Sequence, residues 1–299
     1  MGETATDSKD VGRAAQLTIQ REVAVRAQVH QGRVAASKQA TAANAAPGWL
    51  AFLAHGDSWF DYPLIDNGPL LGDTDIVHQL RKMGNIHPLI LNVSHYGDST
   101  VDEMSLPKQQ RLIENLNEPS NWLGSGKPDA ILFSGGGNDI AGDQFLIYLR
   151  SKGSPSGDGL AIDRFEKMLD GIGASYLDLL AFRDAHAPNV PIFAHGYDFA
   201  IPDGDHPICA GPWLKPSVTF AGYNVAEGRA IVRNGLERFK ARLQALANNP
   251  ANNFILVDTQ GTLADDEWAN ELHPTESGFV KVADRFLAAL RAKFGNDRI

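Results

Sequence analysis

Short apolar runs alternate with longer segments of helical period along most of the chain. Runs of consecutive apolar residues are typical of strands buried on both faces of a sheet. Apolar residues spaced by three and four positions predict helices. Together they predict a mostly parallel five-stranded sheet in a three-layer α/β/α sandwich. The predicted strands are 49–54, 88–93, 130–134, 190–194 and 254–257, and the predicted helices are 75–83, 106–116, 164–187, 222–247 and 276–294.

Two segments depart from this alternation. Residues 1–45 are rich in Ala, Gln, Val and Arg, contain no proline, and carry a thin apolar stripe. They predict a helical arm that precedes an α/β domain over 46–299. The second segment, 197–217, is rich in Pro and Gly, which predicts an irregular insertion in that domain. We expect this insertion to build part of a substrate pocket.

Composition narrows the class of protein. The 299 residues are 43% hydrophobic and carry 27 basic against 36 acidic side chains, a formal charge of −9. An acidic chain of this size favours a globular enzyme and argues against nucleic acid as a partner. The single cysteine, Cys209, excludes an internal disulfide and a metal cluster built from cysteines. No apolar run is long enough to span a membrane and no secretory leader is visible, so we expect a cytoplasmic location by default.

Polar and small residues follow every predicted strand. Because ligands of open parallel sheets bind beyond the carboxyl ends of the strands, these residues predict a site. They are His55-Gly56-Asp57-Ser58, Ser94-His95-Tyr96-Gly97-Asp98-Ser99, Gly135-Gly136-Gly137-Asn138-Asp139, His195-Gly196-Tyr197-Asp198 and the loop that leads to "NELHPTESGF".

The same residues contain the parts that a serine hydrolase needs. Ester hydrolysis by a serine requires a base for the hydroxyl proton and donors for the developing oxyanion. Ser58, His273 and the Asn138 amide provide these chemical types, and Gly97 permits close backbone approach to a ligand. Each residue also has a structural interpretation: Ser58 as a helix cap, Asn138 and Gly97 as turn residues, and His273 at the start of the last helix.

Four blocks in order resemble the SGNH hydrolases, also called GDSL esterases. They are "GDSW", "NVSHYGDST", "GGGND" and "HPTESGF", within residues 53–279. The resemblance implies a flavodoxin-like sheet of strand order 2-1-3-4-5. It implies that Ser58 is the nucleophile and His273 the general base. It further implies an oxyanion hole formed by the backbone N–H groups of Ser58 and Gly97 and the side chain of Asn138.

One position departs from the family pattern. The family usually has an aspartate three residues before the histidine, where it orients and stabilises the imidazole. Here that residue is Asn270, which can accept a hydrogen bond but carries no charge. We expect the backbone carbonyl of Asn270 to orient His273. Asp266 is the second choice, with Asp265 as its neighbour, and low activity is a further possibility.

The sequence indicates the residues that contact the substrate less clearly than the catalytic residues. His195, Tyr197 and Trp213 are candidate substrate contacts. His55 and His95 also follow predicted strands, and they either contact the substrate as well or serve as hydrogen-bonded structural groups. "DGDH", residues 203–206 near Asp198, resembles a metal loop but lacks a spaced ligand set. We expect a small acyl ester as substrate, ahead of acetylated carbohydrate, lysophospholipid or thioester, with no metal and no cofactor. A ligand-binding protein on the same scaffold and an acyltransferase are the alternatives, and the oligomeric state stays open.

Overall fold

A computed structural model describes residues 8–42, 48–65, 72, 74–204 and 211–299. Its centre is a parallel sheet of five strands in the spatial order β2-β1-β3-β4-β5. The predicted sandwich and strand order are therefore confirmed. The strands are β1 Ala51–Gly56, β2 Leu89–Asn92, β3 Ala130–Ser134, β4 Ile192–His195 and β5 Phe254–Val257.

Helices cover both faces of this sheet, as the apolar pattern requires. On one face the last helix places Phe294 against Phe52 of β1 and Phe193 of β4. On the other face Tyr176 packs edge-on against Phe133 and Phe254. Within the described residues the helices are α1 Ser8–Ala42, α2 Ile76–Leu80, α3 Thr100–Glu103, α4 Leu106–Asn117, α5 Gly137–Ile140, α6 Ile162–His186, α7 Lys215–Phe220, α8 Val225–Ala247 and α9 Glu276–Phe294.

Local sequence explains where the main helices begin. Asn224 and Glu227 form a reciprocal capping box at the start of α8. The Thr275 hydroxyl caps α9 by accepting from the N–H of Gly278, and Asp75 caps α2 in the same way. The short helices α3, α5 and α7 were not predicted, because four to six residues carry too little apolar period to detect. A small hairpin of Leu149–Arg150 and Gly159–Leu160 was also not predicted.

The predicted N-terminal arm is largely the helix α1, and it packs along the β2 edge of the sheet. Val23 and Val34 are buried there, and the Arg26 guanidinium forms a 2.6 Å ion pair with Asp61. His30 adds a 2.8 Å hydrogen bond to the carbonyl of Asn121. The arm is thus attached to the body of the molecule, while the domain boundary near residue 45 stays a prediction. Among the described helices, none has the length and apolar character to cross a membrane.

Candidate active site

A tight turn after β1 presents Ser58. Gly56, the last residue of β1, has a φ of 151°, and a Cβ there would lie 2.3 Å from the carbonyl oxygen of Ser134. Only glycine allows β1 and β3 to approach this closely. The Asp57 carboxylate accepts hydrogen bonds from the backbone N–H of Trp59 and from the Ser134 hydroxyl. These contacts fix the turn, so Ser58 begins no helix and points into a cavity.

His273 lies opposite Ser58, in the loop before α9. Its Nε2 is 2.8 Å from the Ser58 Oγ, and the side chain is 7% exposed. The turn that carries Ser58 fixes this loop, because the indole N–H of Trp59 donates to the Leu272 carbonyl at 3.1 Å. The sheet thus brings together a hydroxyl and an imidazole that are more than two hundred residues apart in sequence.

The Asn270 side chain determines which nitrogen of His273 carries the proton. Its Oδ1 accepts from the backbone N–H groups of Leu272 and His273, at 3.0 and 2.9 Å, which identifies this atom as the oxygen. The same Oδ1 lies 3.0 Å from His273 Nδ1, so Nδ1 must donate. Nε2 is then unprotonated and can accept the Ser58 proton. Burial lowers the pKa of His273 to about 3, which keeps the imidazole neutral.

The group that orients His273 differs from our first choice. The side-chain oxygen of Asn270, not its backbone carbonyl, accepts from Nδ1. The second choice, Asp266, is exposed in a short 3-10 helix over Asp265–Glu267. Its neighbour Asp265 forms an ion pair with Arg229. Neither carboxylate replaces the aspartate of the family pattern, because the Asn270 amide already occupies that position.

Asn138 is at the start of the short helix α5 and lines the same cavity as Ser58 and His273. Its Nδ2 donates to the carbonyl of Asp98 at 2.9 Å, which fixes the amide and leaves its second N–H for a ligand. Gly97 precedes Asp98 and has a φ of 82°, a left-handed conformation that favours glycine. Gly97 is exposed and does not line the cavity itself. Its predicted oxyanion role stays a prediction.

The cavity beside Ser58 is narrow and mostly apolar. Its volume is about 50 Å³, room for roughly a few water-sized groups. The predicted insertion contributes Tyr197, Ala200 and Leu214 to its wall, so the described part of 197–217 does border the site. Trp213 packs edge-on to the His273 ring, with centroids 5.7 Å apart. Other apolar side chains of the wall are Ile140, Ala141, Val232, Leu236 and Leu272.

The structure does not support His195 as a substrate contact. The ring is fully buried and does not line the cavity. Its Nδ1 accepts from the backbone N–H of Tyr197 at 3.2 Å, so Nε2 carries the proton and donates to Ser134 Oγ at 2.9 Å. Ser134 in turn donates to Asp57 at 2.7 Å. This chain of hydrogen bonds stabilises the turn that carries Ser58 on its buried side.

Tyr197 joins the same network from the insertion side. Its hydroxyl donates to the second carboxylate oxygen of Asp57 at 2.5 Å, and its ring borders the cavity. Burial raises the pKa of Asp57 to about 6, against the opposing effect of the hydrogen bonds from Tyr197 and Ser134. Asp57 is among the residues that follow the first predicted strand, but no role was predicted for it, because only its hydrogen bonds to Tyr197 and Ser134 reveal one.

Two further carboxylates that were not singled out as site residues shape the cavity wall. Glu271 is fully buried and accepts from the backbone N–H groups of Gly204, Trp213, Leu214 and Lys215. It ties the insertion to the loop of His273. Asp198, which borders the cavity, accepts from four backbone N–H groups, those of Phe199, Gly261, Thr262 and Leu263.

These contacts leave little support for a metal near "DGDH". The carboxylate oxygens of Asp198 accept hydrogen bonds from backbone N–H groups. Asp205, His206 and Cys209 lie outside the described residues. Within the described part of the chain, no cluster of His, Cys, Asp and Glu is arranged to hold a metal ion. His55 is buried against the Glu103 carbonyl, and His95 stacks on Tyr96, so neither borders the cavity.

Fold and geometry together define a class: an α/β sandwich with a serine, an imidazole and an amide at the carboxyl edge of its sheet. Two solved structures share this fold. The lipase Lip_vut3 from a goat rumen metagenome is 16% identical, with a TM-score of 0.53 over 80% of this chain and 97% of that one. The extracellular lipase of Streptomyces rimosus is 16% identical, with a TM-score of 0.51 over 81% and 99%. No protein-family model and no curated protein matches the sequence. The chain shares its fold with these two lipases, and the sheet has the strand order that the resemblance to the SGNH hydrolases predicts.

Proposed function

We propose that the protein is a serine esterase that cleaves small acyl esters through an acyl-Ser58 intermediate. The observation that carries this proposal is the 2.8 Å contact between Ser58 Oγ and the unprotonated Nε2 of His273, at the wall of a cavity that Asn138 also lines. The lipase activity named for the two structural neighbours agrees with ester hydrolysis.

The first step forms the acyl-enzyme. Nε2 of His273 takes the hydroxyl proton while Ser58 Oγ bonds to the ester carbonyl carbon. The carbonyl oxygen becomes an oxyanion, which the Asn138 amide and the backbone N–H groups of Ser58 and Gly97 stabilise. The imidazolium then gives its proton to the departing alcohol as the ester C–O bond breaks. In the second step water attacks the acyl carbon, His273 takes the water proton, and Ser58 leaves with that proton.

The cavity favours a short aliphatic acyl group. Its wall is apolar over Ile140, Leu214 and Leu236, and the small volume beside Ser58, about 50 Å³, fits a short acyl group best. Each added methylene that meets a closed wall lowers kcat/KM by about tenfold or more. We therefore expect acetyl to butanoyl esters to be cleaved fastest.

A series of 4-nitrophenyl esters from acetyl to dodecanoyl tests this function. We expect kcat/KM to be highest for the shortest members and to fall by at least about tenfold at octanoyl. The Ser58→Ala variant, run on the same esters, sets the background. Equal rates for wild type and Ser58→Ala would contradict the proposal, and a maximum at the longest esters would contradict the short acyl group.

A ligand-binding protein with weakened catalysis is the second candidate. It is favoured by one observation, the neutral Asn270 amide in the position that a carboxylate usually occupies. Stable ester binding without turnover would support it. Acyl transfer is distinguished by product analysis with competing alcohols, since a transferase forms new ester at the expense of free acid.

A further inference from the structure

The Nδ1 side of His273 contacts neutral groups. Nδ1 donates to the Asn270 amide oxygen at 3.0 Å, and burial alone accounts for the lowered pKa of His273. Three carboxylates around the site, Asp57 and Asp198 at the cavity and Glu271 in the loop, accept from the hydrogen-bond donors described above. The positive charge that forms on His273 in the proposed reaction therefore needs another source of stabilisation.

Tyr62 lies directly over the imidazole. The two rings are stacked with centroids 4.4 Å apart and an interplanar angle of 22°, and Tyr62 is 2% exposed. A cation within about 6 Å of an aromatic centroid is attracted to the ring, and more strongly where water is excluded. The edge of Trp213 meets His273 at an angle of 77°, with centroids 5.7 Å apart, so the imidazole has aromatic contacts from two rings.

Tyr62 also holds the group that orients the imidazole. Its hydroxyl accepts from Asn270 Nδ2 at 3.0 Å, which fixes the amide with its oxygen toward Nδ1. Tyr62 itself belongs to the segment after the nucleophile turn, where the Arg26–Asp61 ion pair attaches the neighbouring residue to α1. The ring is thus rigidly placed relative to both Ser58 and His273.

We propose that Tyr62 is a positioning residue that replaces the carboxylate of the family pattern: its ring stabilises the His273 imidazolium and its hydroxyl fixes the Asn270 amide. This inference rests on the proposed esterase function. The rings are stacked when His273 is neutral, but the cation–π attraction arises only when His273 is charged. This attraction therefore acts on the chemical step and leaves substrate binding nearly unchanged.

Three variants test the role of the ring. Tyr62→Leu removes the stack, and we expect kcat to fall by about 10- to 30-fold with KM changed less than about threefold. Tyr62→Phe is the matched control, which keeps the ring and loses the hydrogen bond, and its kcat should stay within about threefold to fivefold of wild type. Where Tyr62→Leu does not fold, as judged by thermal unfolding, Tyr62→Met fills more of the space and takes its place.

The second readout is the acid limb of kcat/KM. Asn270→Asp places a carboxylate against Nδ1, which should raise the pKa of His273 by about one to three units into a measurable range. In that background Tyr62→Leu should lower the acid limb by about one unit, whereas Tyr62→Phe should not. A merely structural role would leave this limb in place.

The outcomes separate the inference from the function on which it rests. If wild type shows no activity sensitive to Ser58→Ala, the proposed function itself fails. If wild type is active but Tyr62→Leu keeps the wild-type kcat and leaves the acid limb of Asn270→Asp in place, only the role of Tyr62 is overturned. Equal losses in Tyr62→Phe and Tyr62→Leu would overturn the stabilisation of the imidazolium by the ring, because they would assign the whole effect to the hydroxyl.

Discussion

Two serine–histidine pairs occur at the carboxyl ends of the strands in this protein, and they resemble each other closely. His273 is 2.8 Å from the Ser58 hydroxyl, and His195 is 2.9 Å from the Ser134 hydroxyl. Burial lowers the pKa of both imidazoles to about 3. Distance and burial therefore do not distinguish a catalytic pair from a structural one.

The difference lies in the protons and in access. Asn270 Oδ1 accepts a hydrogen bond from Nδ1–H of His273, so Nε2 of His273 is free to accept. Tyr197 N–H donates to Nδ1 of His195, so Nε2 of His195 is a donor. Ser134 donates its hydroxyl hydrogen bond to Asp57, whereas the Ser58 hydroxyl faces Nε2 of His273. Ser58 and His273 also line a cavity, while His195 is fully buried. The hydrogen-bond partner of the imidazole Nδ1, which faces away from the serine, together with access to substrate, thus determines the role of each pair.

The largest expected effect compares Ser58→Ala with Ser134→Ala. Loss of a nucleophile lowers kcat by about 10⁴-fold or more, so Ser58→Ala should be inactive in the ester assay. Ser134→Ala should keep most of its activity and instead lose about 1–3 kcal/mol of unfolding free energy, because His195 and Asp57 lose a buried partner. Steady-state rates and urea unfolding of both variants measure this. Similar losses of activity in the two would remove the distinction between the pairs.

A smaller effect is expected at Asn138. Removing one oxyanion donor lowers turnover by about 100- to 1,000-fold, so Asn138→Ala should show such a drop in kcat with a small change in KM. Gln144→Ala is a control on the same segment, since Gln144 contacts the Asn138 backbone carbonyl and not the cavity. A wild-type kcat for Asn138→Ala would argue that this amide only fixes the Asp98 loop.

The smallest effect concerns stability and pH at His195. Its pKa is about 3 when folded against about 6.5 when unfolded, so the unfolded chain binds the proton more strongly. Unfolding free energy should therefore fall as pH drops from 6.5 toward 3, by about 2 kcal/mol between pH 7 and pH 5 for this one group. Urea unfolding of His195→Gln at the two pH values should show a pH-dependent loss smaller by that amount. An unchanged loss would mean that His195 is not held neutral.

Sequence patterns predicted the parts of the molecule that repeat regular periods. Buried runs such as 130–134 became strands, and the polar residues after β1, β3 and before α9 meet at one edge, as the rule for parallel sheets requires. Ser58, Asn138 and His273 were identified in this way. The structure brings the three side chains to one cavity, and their catalytic roles are part of the proposed function.

Patterns failed where a role depends on hydrogen-bond direction. Periodicity and composition do not distinguish His195 from His273, since each lies beside a predicted element among polar residues; only the "HPTESGF" block singled out His273. The direction of their hydrogen bonds follows from the partners of the nitrogens that face away from the serines, Tyr197 N–H and Asn270 Oδ1. Tyr62 was missed for a similar reason: an aromatic residue four positions after Ser58 predicts core packing, and its stack on His273 requires two distant loops to meet.

Labelling with a fluorophosphonate is the most direct test of the central claim, that Ser58 and not Ser134 is the activated serine. The probe reacts with a serine whose proton a neutral base can take. Intact-mass analysis and peptide mapping of wild type should show one equivalent, located on Ser58, and Ser58→Ala should remain unlabelled. Absence of labelling on folded wild type, or a label on Ser134, would contradict the account.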